Sequence, residues 1–297
     1  MKCPNCNIIN EQGVKLCRVC GTRLMDNDNH NWEGKELHCN SEYANEFETP
    51  KDTVPIVRSF YVNGVLFNMI HVEGGTFMMG PPSEEYGEII HQVTLDNFFI
   101  GEIPVTMELW NAVMGEGAWK WHPYFSDSYK SNGYIIENRD NISPLVAASG
   151  VSWEECKEFI DEISLLTNTS FRFPTEAEWE YAAKGGKFSR NCKYSGTNSR
   201  HKVGGELHDP VKLGIPNELG IFDMSSGCAE WCYDWWHPID NKATSNPKWE
   251  FNPNDPNCDR NTHIVRGGCV PVWDNRCIGP GHYYHDHHDI IGLRLAI

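Results

Sequence analysis

The sequence predicts an α+β fold with three short helices, about ten short strands and much irregular loop. Capping residues ahead of apolar residues at helical spacing indicate the helices, and short apolar runs bounded by glycine, proline and polar residues indicate the strands. The 297-residue chain contains 26 Gly, 11 Trp and 11 Tyr, and we expect the aromatic side chains to fill space between the loops. This length accommodates one large domain, or a medium domain beside a small one.

Composition and charge exclude several classes of protein. Hydrophobic residues make up 40% of the chain and charged residues 22%, which predicts a packed core. The formal net charge of -16 disfavours nonspecific binding to nucleic acid, although a local basic patch stays open. The sequence has no apolar stretch long enough for a membrane-spanning helix, and its first residues have no signal-peptide pattern. We therefore expect a cytoplasmic location, with association with a phage particle as the alternative.

Residues 1–24 are predicted to form a zinc ribbon. Two Cys-x-x-Cys pairs separated by ten residues supply four thiolates, which can close a tetrahedral zinc site. Disulfides are the alternative, and the missing signal peptide disfavours them. The segment resembles the small zinc ribbons of bacterial proteins, which implies that it docks a partner and that the zinc is structural. The predicted ligands are Cys3, Cys6, Cys17 and Cys20.

A polar linker is predicted over residues 25–54, which are rich in Asn, Asp and Glu and lack apolar periodicity. The compact domain is predicted over residues 55–297. Its first helix follows Thr106, whose hydroxyl can cap the helix start, and runs to about Gly115.

Capping boxes predict the other two helices. Ser152 with Glu155 opens the second helix, and Thr175 with Glu178 opens a third that extends through Ala183. In the second helix, four residues follow at helical spacing and are expected to be buried: Cys156, Phe159, Ile160 and Ile163.

Eight sequence motifs occur in order along the predicted domain, and together they resemble the formylglycine-generating enzyme (sulfatase-modifying factor) family. The resemblance covers roughly residues 67–296 and implies a C-type-lectin-like fold. Fold alone does not imply function. The motifs lie at residues 74–80, 104–106, 151–153, 171–183, 217–224, 230–231, 266–268 and 292–294.

The resemblance also implies a copper site, held in that family by two cysteines after the Arg-Gly-Gly motif. The second family cysteine matches Cys277, but Val272 stands at the first position. Cys269 is nearby and out of register, and one thiolate cannot form a two-coordinate copper site. We therefore expect no catalytic residue. A copper-dependent oxidase, with Cys277 as a catalytic residue, is the alternative, and otherwise this cysteine is a small buried hydrophobe.

A calcium site is a further expectation from the family resemblance. Asp223 and Glu230 keep hard oxygen ligands, and the carbonyls of Ser226 and Cys228 complete the set. Ala229 stands where the family has a tryptophan. The alternative interpretation is a surface loop with two solvated carboxylates.

Residues 282–289 consist only of His, Tyr and Asp. Imidazole and carboxylate groups suit a metal site, but adjacent residues of a strand point to opposite faces, so an unbroken run would waste half its ligands. A low-complexity tail is also disfavoured, because residues 292–296 resume the family pattern at once.

Codon chemistry explains this composition. Replacing the first adenine of an asparagine codon gives Tyr, His or Asp only. Replacing both adenines can give Cys, Val or Pro, which are the residue types found over residues 269–272. The pattern resembles the variable region of proteins diversified by retroelements, many of which use a C-type-lectin fold, and places that region at residues 266–296.

This resemblance predicts a ligand-binding protein that contacts a protein or another macromolecule through its C-terminal face. Tyr and Trp give contact area at low entropic cost, as in antibody paratopes. A fixed-specificity pseudoenzyme is a third hypothesis. The predicted binding residues are Trp273, Asp274, Asn275, Arg276, His282, Tyr283, Tyr284, His285, Asp286, His287, His288 and Asp289.

Overall fold

The structure is a computed structural model that describes residues 55–80, 89–118, 143–207, 209–236, 242–254, 262–268, 280–284 and 290–297. All of them belong to one unit, Pro55–Ile297. The predicted zinc ribbon and linker lie outside the described residues, so the domain boundaries and the four zinc ligands stay predictions. For residues 280–284 we describe only the backbone.

The first sheet is antiparallel and has the strand order β1-β2-β5. Strand β1 (Val57–Val62) forms a hairpin with β2 (Val65–Val72), and β5 (Phe98–Gly101) pairs with the other edge of β2. Asn63 and Gly64 connect the hairpin with φ of 45° and 92°. Two consecutive residues with positive φ are typical of the tight turn that suits twisted antiparallel strands.

A second sheet has the order β3-β4-β7. Strands β3 (Gly75–Met79) and β4 (His91–Leu95) are antiparallel, and the short strand β7 (Thr244–Ser245) runs parallel to β4. The register places Met79 opposite His91.

The third sheet contains the C-terminal strands in the order β10-β6-β8-β9. Strand β6 (Ala229–Trp235) pairs with β8 (Thr262–Gly267), which pairs in turn with β9 (Pro280–Tyr284). Strand β10 (Ile291–Gly292) lies parallel to β6 at its other edge.

Three helices begin where the sequence predicts them. Helix α1 (Met107–Met114) is capped by the Thr106 hydroxyl and ends at Gly115. Helix α2 (Trp153–Thr167) and helix α3 (Glu176–Ala183) both begin with complete capping boxes. The four residues predicted for the buried face of α2 are all buried: Cys156, Phe159, Ile160 and Ile163.

Aromatic rings fill much of the core. Trp110 of α1 stacks on Phe159 of α2, with ring centroids 4.8 Å apart and planes 11° apart. A second cluster lies between the first two sheets and α3, around the fully buried Trp179. Among the described residues the longest helix has 15 residues, and none combines the length and apolarity of a bilayer span.

Candidate ligand-binding face

Strand β9 carries the first three residues of the predicted His, Tyr and Asp run. Its backbone pairs with β8 along its whole length, with His282 opposite Ile264 and Tyr283 opposite His263. Side chains of β8 are buried, including those of His263, Ile264 and Val265 at 4% exposure or less. In the described part of the sheet, β9 is the last strand on that side. The backbone of these predicted variable positions is therefore paired with a core strand.

Of the twelve predicted binding residues, the structure describes only the backbone of residues 282–284. The remaining predicted binding residues and the cysteines discussed for copper lie outside the described residues, so their roles stay predictions. They are Trp273, Asp274, Asn275, Arg276, His285, Asp286, His287, His288 and Asp289, with Cys269, Val272 and Cys277.

His263 anchors β8 through its aromatic neighbours. Its ring lies 4.2 Å from the Trp153 ring, with planes 5° apart, and 4.1 Å from the Trp235 ring. Its Nδ1 is 3.2 Å from the carbonyl oxygen of Tyr233. Rings packed on both sides leave this side chain little freedom, so β8 offers β9 a rigid partner.

Arg266, at the end of β8, lies in a buried ionic cluster. Its Nη2 donates to the Glu180 carboxylate, and its Nε lies 3.4 Å from Glu176 Oε1. Burial would lower the pKa of Arg266, but the two carboxylates outweigh it and raise this pKa above the ordinary value. Lys184 also donates to Glu180, at 2.6 Å. Burial would raise the pKa of Glu180, and the charges of Lys184 and Arg266 lower it instead.

Two glycines direct the chain out of β8 toward the predicted variable residues. Gly267 and Gly268 have φ of 80° and 100°, which disfavours residues with side chains. A Cβ atom on Gly267 would lie 2.9 Å from the Trp179 ring. The backbone therefore passes directly over this buried indole, and only glycine fits.

Arg294 ties the C-terminal segment to the core. Its Nε and Nη2 donate to the two oxygens of Glu230 at 2.8 and 2.7 Å, and Trp179 Nε1 donates to Glu230 at 2.6 Å. The same guanidinium also donates to the carbonyls of Gly101 and Phe222. Because Arg294 and Glu230 are both fully buried, this network fixes the chain that follows the His, Tyr and Asp run.

Two of the predicted calcium ligands, Asp223 and Glu230, accept hydrogen bonds from other groups of the protein. Both oxygens of Glu230 already accept hydrogen bonds, as described above. Asp223 accepts from the Ser226 hydroxyl at 3.1 Å and from the Lys212 amide at 2.7 Å, and burial raises its pKa. Cys228 is buried. Among the described residues, no three His, Cys, Asp or Glu side chains are placed to hold a metal. Calcium stays a prediction that requires Glu230 to leave Arg294.

Sequence reasoning missed the role of the acidic residues in α3. All eight residues of this helix are buried, including Glu176, Glu178 and Glu180. Glu178 binds the Arg172 guanidinium with both oxygens, at 2.6 and 2.7 Å. The alternation of glutamates with alanines and Trp179 in this helix could have indicated that the glutamates are buried. Buried carboxylates need cationic partners, so the same pattern predicts nearby arginine or lysine residues.

Residues 62–297 match the family described as the sulfatase-modifying factor enzyme 1-like domain. The chaperone protein LppX of Paenibacillus barcinonensis is 30% identical over 216 residues, which cover 58% of this chain and 73% of that protein. The formylglycine-generating enzyme of Thermomonospora curvata is 29% identical over 163 residues, which cover 49% of this chain and 50% of the enzyme.

A solved structure shares the fold. Treponema denticola variable protein 1 superposes with a TM-score of 0.66 at 23% identity, over 82% of this chain and 99% of that one. Together with the family match, it confirms the predicted α+β, C-type-lectin-like fold.

Proposed function

Because the chain belongs to the sulfatase-modifying factor enzyme 1-like family, whose fold also builds Treponema denticola variable protein 1, we propose that it binds a macromolecular ligand through a diversified C-terminal surface. The pairing of β9 with the buried strand β8 carries this proposal. This pairing fixes the backbone at the first three residues of the His, Tyr and Asp run. Strand β9 is also the last strand on its side of the sheet among the described residues.

The buried frame supports this proposal energetically. Arg266 is held by Glu180, and Arg294 is held by Glu230, so the segments before and after the run are fixed by contacts that lie outside it. Substitutions within the run then leave those ion pairs intact. We assign ligand contact to residues 273–276 and 282–289, where Tyr, Trp and His supply rigid apolar area together with hydrogen-bonding groups.

The gene and its close relatives test the diversification directly. We expect a reverse transcriptase gene nearby, and an adenine-rich near-copy of the 3′ end of this gene. Closely related copies should differ mainly within residues 266–296, and there at codons derived from AAC or AAT. Copies that are identical throughout this segment would contradict the proposal.

Copper-dependent oxidation of a sulfatase cysteine is a second candidate function, favoured by the similarity to the Thermomonospora curvata enzyme. We expect no aldehyde when the full chain is incubated with Cu(I), oxygen and a sulfatase-derived cysteine peptide, because Val272 replaces one of the two family cysteines. The Cys277→Ala and Cys269→Ala variants are matched controls. Aldehyde that forms with the native chain and disappears in Cys277→Ala would establish the oxidase instead.

A further inference from the structure

A narrow cleft lies between β4, the start of α3 and the segment after β7. About 240 Å³ of it is not filled by protein atoms, a volume that includes space open to solvent. Within this volume there is room for roughly one water-sized group. None of its lining residues belongs to the 266–296 segment, so it is a different site from the proposed ligand-binding surface. It is lined by Met79, His91, Glu176, Ala177, Asp234, Pro247 and Trp249.

His91 presents an acceptor to this cleft. The residue is 8% exposed, and its Nδ1 lies 3.2 Å from the carbonyl oxygen of Ile89. Because a carbonyl oxygen only accepts, we assign the Nδ1–H tautomer to this ring, and in that tautomer Nε2 is an acceptor. No described residue donates a hydrogen bond to this Nε2. The atom is not sealed off by protein, and its ring lines the cleft.

Glu176 supplies a second acceptor from the first turn of α3. It is 4% exposed, and its carboxylate accepts no hydrogen bond from the described residues. Its ion pair with Arg266 is long, at 3.4 Å, and Arg266 donates to Glu180 instead. Two buried acceptors, on separate elements, therefore open onto the same small space.

Asp234 holds together two of the segments that line the cleft. One of its oxygens accepts from the Glu176 amide at 2.6 Å and the other from the Trp249 amide at 2.8 Å. Trp249 is 41% exposed and lines the cleft together with Pro247. The cleft is therefore lined by apolar and aromatic side chains together with two carboxylates.

The ionisable groups around the cleft include one more carboxylate than cation. The four carboxylates are Glu176, Glu178, Glu180 and Asp234, and the three cations that pair with them are Arg172, Lys184 and Arg266. One negative charge remains when all of these groups are ionised. Burial, and then the charge of Glu176, raises the pKa of Asp234 from 3.8 to about 7, as expected for a carboxylate that has no cationic partner.

We propose that this cleft binds a primary alkylammonium group, carried by a small amine or by a lysine side chain. An ammonium head is about the size of a water molecule and donates three hydrogen bonds, which the Glu176 carboxylate and His91 Nε2 can accept. Its alkyl stem lies against Met79 and Pro247, and the Trp249 ring attracts the cation. An anion is disfavoured because it would lie against the Glu176 carboxylate. A metal ion is disfavoured because no described trio of His, Cys, Asp or Glu is placed to hold one.

Titration of the full chain with n-butylammonium chloride tests the proposal. We expect a saturable change in tryptophan fluorescence and a rise in melting temperature, because a ligand that binds only the folded state stabilises it. Butan-1-ol at the same concentration, and potassium chloride at the same ionic strength, should produce neither. A second titration uses Nα-acetyl-lysine amide, in which only the side-chain amine is free. Comparing its affinity with that of n-butylammonium distinguishes a lysine side chain from a small amine as the natural ligand.

Variants locate the binding site. Trp249→Leu keeps the backbone amide that Asp234 binds and should weaken butylammonium binding by about threefold or more. Glu176→Gln should weaken it by about tenfold or more, whereas Glu158→Gln, on the exposed face of α2, should leave it unchanged. The proposal is overturned if neither amine binds saturably or if butan-1-ol gives the same response. Unchanged affinity in Trp249→Leu, or tighter saturable binding of calcium chloride, would also overturn it.

Discussion

At the scale of one residue, Arg294 shows how strongly the stability of the C-terminal segment depends on a buried ion pair. The guanidinium is fully buried and donates to Glu230 and to two backbone carbonyls. Its partner Glu230 also accepts from Trp179. Removing the cation would leave a buried carboxylate paired only with an indole, and a buried charge without its counter-ion is strongly destabilising.

We expect Arg294→Met to lower the free energy of unfolding by about 3–5 kcal/mol, measured by urea denaturation. The matched control is Lys157→Met, which removes the exposed ion pair with Asp161 on α2 and should cost within about 0.5 kcal/mol. Adding Glu230→Gln to Arg294→Met should recover part of the loss, because the uncompensated charge is then gone. If Arg294→Met and Lys157→Met lowered the free energy of unfolding equally, the assignment of Arg294 to a buried ion pair would be contradicted.

Asp234 yields a second prediction at this scale. Its pKa is raised from 3.8 to about 7, mainly by burial and next by the charge of Glu176. The folded chain therefore holds this proton more tightly than the unfolded chain does. The stabilising contribution is complete below pH 3.8 and is lost as the pH rises through about 7.

The measurement is a carbon-13 titration of the aspartate carboxyl groups, with the Asp234→Asn variant used to assign the signal. We expect a midpoint near 7 in the protein without amine. If an ammonium ion binds in the cleft, saturation with n-butylammonium should move the midpoint down, since a nearby cation favours the carboxylate. A midpoint near the ordinary aspartate value without amine would show that Asp234 is solvated.

At the scale of elements, the sequence predicts local structure such as helix starts, but it does not predict contacts between residues far apart in the chain. The capping boxes at Ser152 and Thr175 place helix starts because they involve residues three positions apart. The pairing of Arg294 with Glu230 joins residues 64 positions apart, and nothing in their local sequence indicates it. The cleft has the same character, because His91 and Glu176 come from separate elements. Family resemblance supplied the fold, but not these contacts.

The pairing of β8 with β9 gives an element-scale prediction from one matched cross-strand pair. Ile264 and His282 lie opposite each other, on the core strand and on the strand assigned to display. We expect Ile264→Ala to cost about 2–5 kcal/mol, as for other buried isoleucines, and His282→Ala to cost within about 0.5 kcal/mol. Urea denaturation measures both. A cost for His282→Ala as large as that for Ile264→Ala would make this position structural.

At the scale of the whole molecule, the proposed function implies that stability and recognition reside in different parts of the domain. Buried ion pairs and aromatic packing lie in β6, β8, α3 and the C-terminal segment, while the proposed contact residues lie in the intervening chain. A fold organised this way tolerates change at the display positions because the energy that maintains it comes from elsewhere. The oxidase hypothesis makes no such separation, since it requires fixed cysteines within the same intervening chain.

The N-terminal cysteines provide the last prediction. Residues 1–24 are too few to form a core of their own, so we expect them to fold only with metal. The purified full chain should contain one zinc ion per molecule by elemental analysis, and Cys17→Ser should lose it, because three thiolates hold zinc less tightly than four. Cys192→Ser, which changes a cysteine outside this segment, is the matched control and should keep the zinc. Zinc retained in Cys17→Ser, or a disulfide found between these cysteines, would contradict the ribbon assignment.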